Sequence, residues 1–323
     1  MIVKWGLEAL PDVLRELSVK NPLIVTTARW RDLPLPVSRR FCGARPHADV
    51  TGVREATEAL DGADGLVALG GGSAIDTAKA VSTATSLPIV SIPTTYSGAE
   101  WTPFFGNRDS STGLKVAGAG AKVAGIVYAP ELTVDLPAFD TGGTAMNALA
   151  HCAEALFAPQ RSEETDADAL EGARLISRWL PQVLAEPHDI EARTELLRGA
   201  MHAGEALRAG MCLGHAMAQA LGGGLGLPHG PMNAVCLPHS LRFNREAAAE
   251  ALTKLSAAMG VSDPVEATAA LGALSCPMRL RDYGVDREAL PGIAEKVAVR
   301  PAALANPRPA SVEDIRALLL AAW

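Results

Sequence analysis

The stretch GLVALGGGSAIDTAKAVSTAT, residues 65–85, decides the fold. It begins with a short apolar run, which is typical of a buried strand. Three glycines at 70–72 and Ser73 then form a turn, and the residues after them place apolar side chains at helical spacing. Ser73 is a good N-cap and Asp76 a good first-turn acid for that helix. The stretch therefore predicts a strand, a glycine turn and a helix, which is the unit of an α/β domain.

The same alternation surrounds this stretch. Further strands are predicted at 22–27 and 124–132, a strand followed by a turn is predicted at 88–98, and a helix is predicted at 50–60. The first residues, MIVKWGLEALPDVL, carry an amphipathic helical pattern. Strands that alternate with helices over short connections indicate a parallel, Rossmann-like sheet covered by helices.

The pattern changes near Thr141, where helical periodicity takes over and β-branched runs disappear. Helices are predicted at 142–158, 163–184, 189–208, 210–224, 231–258, 263–274 and 311–322. The sequence therefore predicts an α/β domain at 1–140 and an all-helical domain at 141–323.

Composition limits the classes of function. The 323 residues are 48% hydrophobic and 20% charged, as in globular proteins, and the net charge is −7. Nothing favours a nucleic acid or an anionic membrane as partner, and no window is apolar over the roughly 20 residues of a membrane span. The five scattered cysteines indicate reduced thiols, so we expect a cytoplasmic protein.

Two loops follow consecutive predicted strands. The glycine turn exposes backbone N–H groups at a helix N-terminus, which suits a phosphate. The next loop, PTTYSG, brings the hydroxyl groups of Thr94, Thr95 and Ser97 to the same edge of the sheet. The turn is neither a G-x-G-x-x-G fingerprint nor a P-loop, so a purely structural turn remains an alternative.

Histidines of the second half form a second constellation. Asn147 and His151 are four residues apart on a predicted helix and point the same way. His215 lies on a later helix, and His229 follows the turn GLP. Each histidine alone is as consistent with a buried structural role as with a ligand or proton-donor role.

Four motifs, GGGSAIDTAKA, IPTTYSGAEWTPF, MNALAHCAEAL and GHAMAQALGGGLGLPHGPMNAVCLPHSLRFN, resemble the iron-containing (group III) alcohol dehydrogenase superfamily in order and across most of the chain. Within it, PTTYSGAEWTPFFG, the MNALAH block, NPRP at 306–309 and the final IRALLLAAW most resemble maleylacetate reductases. The resemblance implies the dehydroquinate-synthase-like fold and a homodimer.

The resemblance also implies a nicotinamide dinucleotide, NADH or NADPH, on the first domain. Its pyrophosphate is expected on Gly71, Gly72 and Ser73, and the cofactor residues are completed by Asp76, Thr94, Thr95, Ser97, Thr27 and Arg29. Many NAD-preferring relatives carry an aspartate where this chain has Thr27. Since Arg29 and Arg31 follow, NADPH should be accepted.

Metal-dependent members of the superfamily bind a cation with one aspartate and three histidines. Here the aspartate position is Asn147, and His151, His215 and His229 would be the ligands if a metal is bound. A catalytic histidine of the superfamily is replaced by Gln219. Without an anionic ligand to offset dehydration of a divalent cation, we predict metal-free function, although three-histidine zinc sites exist.

The resemblance to maleylacetate reductases implies a dicarboxylate substrate with a conjugated carbonyl, reduced to 3-oxoadipate in aromatic-compound breakdown. We expect His215 and His229 to polarise the substrate and His151 and Asn147 to orient it. Lys115 is a further candidate for the nicotinamide side or a substrate carboxylate, and Arg308 could supply a cation.

Other functions fit the same motifs. One alternative is a superfamily reductase or dehydrogenase for another small carbonyl substrate, for instance in a biosynthetic pathway. Another is a lyase or cyclase on the same fold that causes no net redox change. A non-catalytic binding protein is a further alternative, suggested by the lost aspartate and histidine.

Overall fold

The computed structural model describes residues 1–108 and 115–323, without the side chains of residues 115–117. The described chain forms two compact units, Met1–Thr133 and Val134–Trp323. The sequence had placed the domain boundary at 140.

Unit 1 contains a six-stranded parallel sheet with strand order β1-β8-β5-β4-β2-β3. The strands of the unit are β1 Ile2–Trp5, β2 Pro22–Val25, β3 Arg40–Phe41, β4 Gly65–Gly70, β5 Pro88–Pro93, β6 Phe105–Arg108, β7 Lys115–Gly118 and β8 Lys122–Tyr128. Its helices are α1 Leu10–Glu16, α2 Val50–Glu58 and α3 Gly72–Thr85. β6 and β7 pair antiparallel outside the main sheet.

Successive residues of the central strands point to opposite faces of this sheet. Val67 and Leu69 of β4 belong to one apolar cluster with Leu10 and Val13 of α1, whereas Leu66 and Ala68 belong to another with helix α3. A parallel sheet covered on both faces requires such near-continuous apolar strands. The prediction of a parallel α/β domain is confirmed.

The beginning of the chain differs from its predicted helical pattern. Residues 2–5 form the edge strand β1, which pairs in parallel with β8, and helix α1 begins only at Leu10. Pro11 occupies the first turn of that helix, a position where a missing N–H costs nothing. Within residues 1–14, the first part therefore forms a strand, and only the part from Leu10 onward follows the helical period.

Unit 2 is all-helical, as predicted; its residues, 134–323, are all described and include no strand. Its helices are α4 Ala138–Ala155, α5 Glu163–Ala185, α6 Ile190–Ala206, α7 Leu213–Leu225, α8 His229–Phe243, α9 Ala249–Met259, α10 Pro264–Ala273, α11 Leu290–Ala298, α12 Pro301–Leu304 and α13 Val312–Ala321. Among the described residues, no helix has the length and apolar character required to cross a bilayer.

The single helix predicted at 231–258 is wrong, because the chain turns after Phe243. Asn244 is fully buried at this break, and its side-chain amide exchanges two hydrogen bonds with that of Asn306, at 2.7 and 3.0 Å. A partner 62 residues away fixes the break, so the local apolar period could not reveal it.

Candidate active site

In unit 1 the glycine turn and the hydroxyl loop lie against each other. β4 and β5 run parallel with Gly70 opposite Pro93, and the Thr94 N–H donates to the Gly70 carbonyl at 3.1 Å. The sequence-based expectation that both loops end at one edge of the sheet agrees with this register.

The glycines of the turn permit a close approach of the two loops. A Cβ at Gly71 would lie only 2.9 Å from Thr95 Cγ2, so a side chain there would force a shift. A Cβ at Gly72 would meet only Ser97 Oγ, at 4.0 Å. The Thr95 and Ser97 hydroxyl oxygens are 3.3 Å apart.

Helix α3 begins at Gly72, and its N-cap, Gly71, makes no side-chain capping hydrogen bond. The expected N-cap role of Ser73 is therefore wrong: its hydroxyl accepts from the His47 backbone N–H at 3.1 Å. Because a helix leaves its first N–H groups without intrahelical acceptors, this uncapped end can receive an anion.

Behind the turn lies a buried polar group that sequence reasoning missed. Lys79 Nζ donates to the Phe104 carbonyl at 2.8 Å and lies 3.4 Å from Asp76 Oδ1. Asp76 Oδ2 accepts from the Gly106 N–H at 3.3 Å, so this side chain links α3 to β6. Burial lowers the pKa of Lys79 and raises the pKa of the nearby Glu100.

The remaining residues predicted for the cofactor follow β2. Thr27 is half-buried, and Arg29 is exposed with its guanidinium carbon 4.9 Å from the centre of the Trp30 ring. The side chain of Lys115 lies outside the described residues.

In unit 2, three helices bring the predicted histidines together. His151 from α4 and His215 from α7 are buried and stack with ring centroids 4.5 Å apart. His229, the first residue of α8, is exposed, and its ring centroid lies 6.4 Å from that of His215.

Asn147 joins this group through a residue that sequence reasoning missed. Asn233 Nδ2 donates to Asn147 Oδ1 at 2.7 Å and lies 3.2 Å from His229 Nε2. The signal was available, since Asn233 follows His229 by four residues and therefore shares its helix face.

Glu154 is a second missed residue. Its carboxylate is fully buried, and it accepts from the backbone N–H groups of Cys212 and Gly214, both at 2.7 Å. The same carboxylate lies 2.8 Å from His215 Nδ1. It therefore sits at the N-terminus of α7, where the helix dipole favours an anion, and orients the His215 ring.

Three buried side-chain atoms in this cluster have no hydrogen-bond partner among the described residues: His151 Nδ1, His215 Nε2 and Asn233 Oδ1. Burial first, and then the neighbouring His215 and His229, hold the pKa of His151 well below its usual value. Because buried polar groups are normally paired, such a concentration indicates a functional site.

The side-chain amide of Asn147 is engaged by hydrogen bonds within the cluster. The Asn147 oxygen accepts from Asn233, and the same amide nitrogen faces His229 Nε2. Within the described residues, no group of three or more histidine, cysteine, aspartate or glutamate side chains is placed to hold a metal ion.

Arg308 and Gln219, which the sequence analysis also considered, each make contacts within unit 2. Arg308, expected as a cation for the site, instead stacks 4.0 Å from the Phe243 ring centre and donates to the Phe243 carbonyl at 3.0 Å. Gln219 accepts from Arg300 Nη1 at 3.3 Å.

Comparison with known proteins gives a consistent result. Residues 2–125 match the family described as iron-containing alcohol dehydrogenase, and residues 141–323 match the C-terminal part of the Fe-containing alcohol dehydrogenase family. Maleylacetate reductase 1 of Cupriavidus pinatubonensis is 35% identical over 98% of this chain and 92% of its own length. Maleylacetate reductase of Burkholderia cepacia is 38% identical over 86% and 80%.

A solved structure adds to this likeness. The crystal structure of maleylacetate reductase from Rhizobium sp. strain MTP-10005 superposes with a TM-score of 0.91 at 33% identity, covering 100% of this chain and 95% of that one.

Proposed function

The chain belongs to the iron-containing alcohol dehydrogenase family and is an oxidoreductase most like maleylacetate reductases, and from that premise we propose that it reduces maleylacetate to 3-oxoadipate with NADH or NADPH. The observation that carries this proposal is the buried Asn147–His151–His215–Asn233 cluster, which joins an amide to unpaired imidazole nitrogens.

Unit 1 is proposed to bind the dinucleotide. The uncapped start of α3 at Gly71, Gly72 and Ser73 would receive the pyrophosphate, with Thr94, Thr95 and Ser97 beside it. Thr27 and Arg29 would face the adenosine ribose, where the arginine side chain suits a 2′-phosphate. Asp76 would act through its links to Lys79 and β6.

Unit 2 is proposed to bind and polarise the substrate. When bound, a reduced nicotinamide would supply a hydride for the alkene carbon β to the ketone, so that the electron pair of the double bond would move onto the ketone oxygen. Uptake of a proton from solvent at the carbon next to the ketone would then complete 3-oxoadipate. His215 and His229 would donate hydrogen bonds to the developing enolate oxygen, and His151 and Asn147 would orient the substrate.

Glu154 determines which ring nitrogen of His215 is available to a substrate. Because Nδ1 faces the buried carboxylate, only the unpaired Nε2 remains for a substrate. A donor role at Nε2 requires a doubly protonated ring, and the carboxylate offsets its positive charge.

Metal independence is part of the proposal. It is supported by the neutral amide at Asn147 and by the hydrogen bonds that occupy its oxygen. Stabilisation of the enolate would then come from imidazole donors instead of a Lewis acid. We also propose a homodimer, as the resemblance implies, and a role in aromatic-compound breakdown.

The test is reduction of maleylacetate by the purified protein, with NADH and NADPH supplied separately and the product identified by mass spectrometry. Cofactor oxidation coupled to 3-oxoadipate formation is expected. Turnover confined to other small carbonyl compounds would show a different reductase, and product formation without net cofactor oxidation would show a lyase or cyclase.

A further inference from the structure

Arg300 occupies an unusual position in unit 2. It is the N-cap residue of the short helix α12 and lies beside α7, where its Nη1 donates to Gln219 Oε1 at 3.3 Å. The guanidinium is half-buried, and its Nε is fully shielded without a hydrogen-bond partner among the described residues.

The charge of Arg300 is not balanced within the described part of the chain. Several exposed arginines of the unit are paired with acids, for example Arg242 with Glu266 at 2.9 Å and Arg245 with Asp263 at 2.8 Å. No carboxylate oxygen of a described residue lies within 4.0 Å of Arg300, whose neighbour is a neutral amide. Burial alone lowers the pKa of Arg300, but a guanidinium remains charged at neutral pH.

A partly desolvated cation without an anion is costly, and proteins rarely keep one without a use. A free guanidinium offers paired N–H donors that match a carboxylate in geometry and charge. Gln219 accepts a hydrogen bond from Arg300 Nη1, so it orients the guanidinium without neutralising its positive charge.

The location relates Arg300 to the candidate active site. Gln219 follows His215 by four residues on α7, so both side chains lie on one helix face, with backbones separated by about 6 Å along the axis. A molecule that contacted both groups would present its ketone at His215 and a carboxylate about one helical turn further along α7, at Arg300.

We propose that Arg300 is a carboxylate-binding residue for the substrate and that Gln219 positions it. This inference rests on the proposed function and deepens it: the substrate is an oxo acid whose carboxylate is bound one helical turn from the ketone. A glutamine at 219 keeps the guanidinium charge available, whereas an acid there would consume it.

The test compares Arg300→Ala, Arg300→Lys and Gln219→Glu with Lys296→Ala, which removes an exposed cation four residues earlier. The KM for maleylacetate should rise about 10- to 100-fold in Arg300→Ala, as expected for loss of charge-assisted hydrogen bonds. Gln219→Glu should raise the KM by a similar factor, because it supplies an internal carboxylate to Arg300. Arg300→Lys should raise the KM less, because lysine keeps the positive charge but lacks the paired N–H donors of a guanidinium. Lys296→Ala should match the wild type.

A binding measurement separates this inference from the proposed function. Calorimetry with maleate and with its dimethyl ester requires no turnover, so it applies even if maleylacetate is not reduced. Maleate should bind the wild type and bind Arg300→Ala about 10-fold or more weakly, while the ester shows no such difference. Equal maleate affinity in both proteins, or no maleate binding to the wild type, would overturn the assignment of Arg300.

Discussion

At the scale of single residues, Asn147 and Glu154 determine the chemistry of the histidine cluster. Asn147 brings an oxygen without a charge, and that oxygen already accepts from Asn233. Glu154 supplies a negative charge, and its carboxylate lies 2.8 Å from His215 Nδ1. The carboxylate therefore lies against the Nδ1 side of the imidazole, where it orients the ring.

Replacement of Glu154 by glutamine tests this arrangement. The Cys212 and Gly214 N–H groups and His215 Nδ1 would then share one oxygen, and an amide N–H would face a donor. We expect turnover to fall by about 100-fold or more and the free energy of unfolding to fall by about 1–3 kcal/mol.

Steady-state kinetics and chemical denaturation measure the two effects. Glu171→Gln is the control, because it breaks only the exposed pair with Arg174 and should cost less than about 1 kcal/mol. A Glu154→Gln variant with wild-type turnover would remove the orienting role.

Gly71 allows the test of the phosphate site. In Gly71→Val the Cβ would approach Thr95 Cγ2 to 2.9 Å, and the branched methyls would cover the first N–H groups of α3. Dinucleotide affinity should fall by about 100-fold, as expected for the loss of phosphate hydrogen bonds, while circular dichroism remains near that of the wild type. Gly292→Ala, where an added Cβ meets nothing within 4 Å, is the control. Unchanged cofactor binding in Gly71→Val would refute the assignment.

At the scale of elements, α4 shows what a sequence pattern can and cannot predict. Asn147 and His151 were predicted from their spacing of four, and the structure places both in one cluster. Glu154 lies one turn further on, but an isolated acid in a helix is usually exposed, so nothing in the local pattern distinguished it. Its partners come from α7, a contact 58 to 61 residues away that no local period reveals.

The break between α8 and α9 has the same origin. The segment NPRP was identified by resemblance only, and its physical role is that buried Asn306 links Asn244 to the start of α7 through the Leu213 N–H. Such long-range polar contacts decide where helices end, whereas periodicity decides that they exist.

Asn306→Ala is therefore predicted to destabilise unit 2. It would leave the buried Asn244 amide and the Leu213 N–H without their acceptor, so the free energy of unfolding should fall by about 2–4 kcal/mol. Urea unfolding followed by circular dichroism measures the change. Arg308→Ala, which removes the contact with the Phe243 ring and one hydrogen bond to the Phe243 carbonyl but leaves no buried side chain without its partner, should cost less, about 1 kcal/mol. Equal stability of Asn306→Ala and wild type would contradict this account of the break.

At the scale of the whole molecule, the fold was predictable because apolar periodicity is a property of every element. Alternating strands and helices predicted the parallel sheet, and the helical period predicted the second unit. The edge strand β1 was missed because four residues are too few to establish a period of their own.

The stability of the molecule should depend on pH through His151. Its pKa is held well below 6.5 by burial and by two neighbouring imidazoles, so between that lowered pKa and 6.5 the unfolded chain binds a proton that the folded chain does not. The free energy of unfolding should therefore fall as the pH decreases from 6.5 towards that lowered pKa.

Comparison with His151→Leu isolates this contribution, since the variant has nothing to protonate at that position. The loss of stability between pH 6.5 and 4.5 should be smaller in His151→Leu than in the wild type. The exposed His188→Leu variant should retain the wild-type dependence. If the free energy of unfolding of His151→Leu and of the wild type depended on pH in the same way, burial of the neutral His151 ring would not be the cause of the loss of stability in acid.

We propose that imidazole donors, and not a bound cation, support the reduction. The most direct measurement is turnover of maleylacetate by protein treated with a strong chelator and shown by elemental analysis to be free of iron and zinc. We expect the same kcat before and after treatment, with no gain on adding either ion. Loss of activity on chelation that Fe²⁺ or Zn²⁺ restores would contradict it.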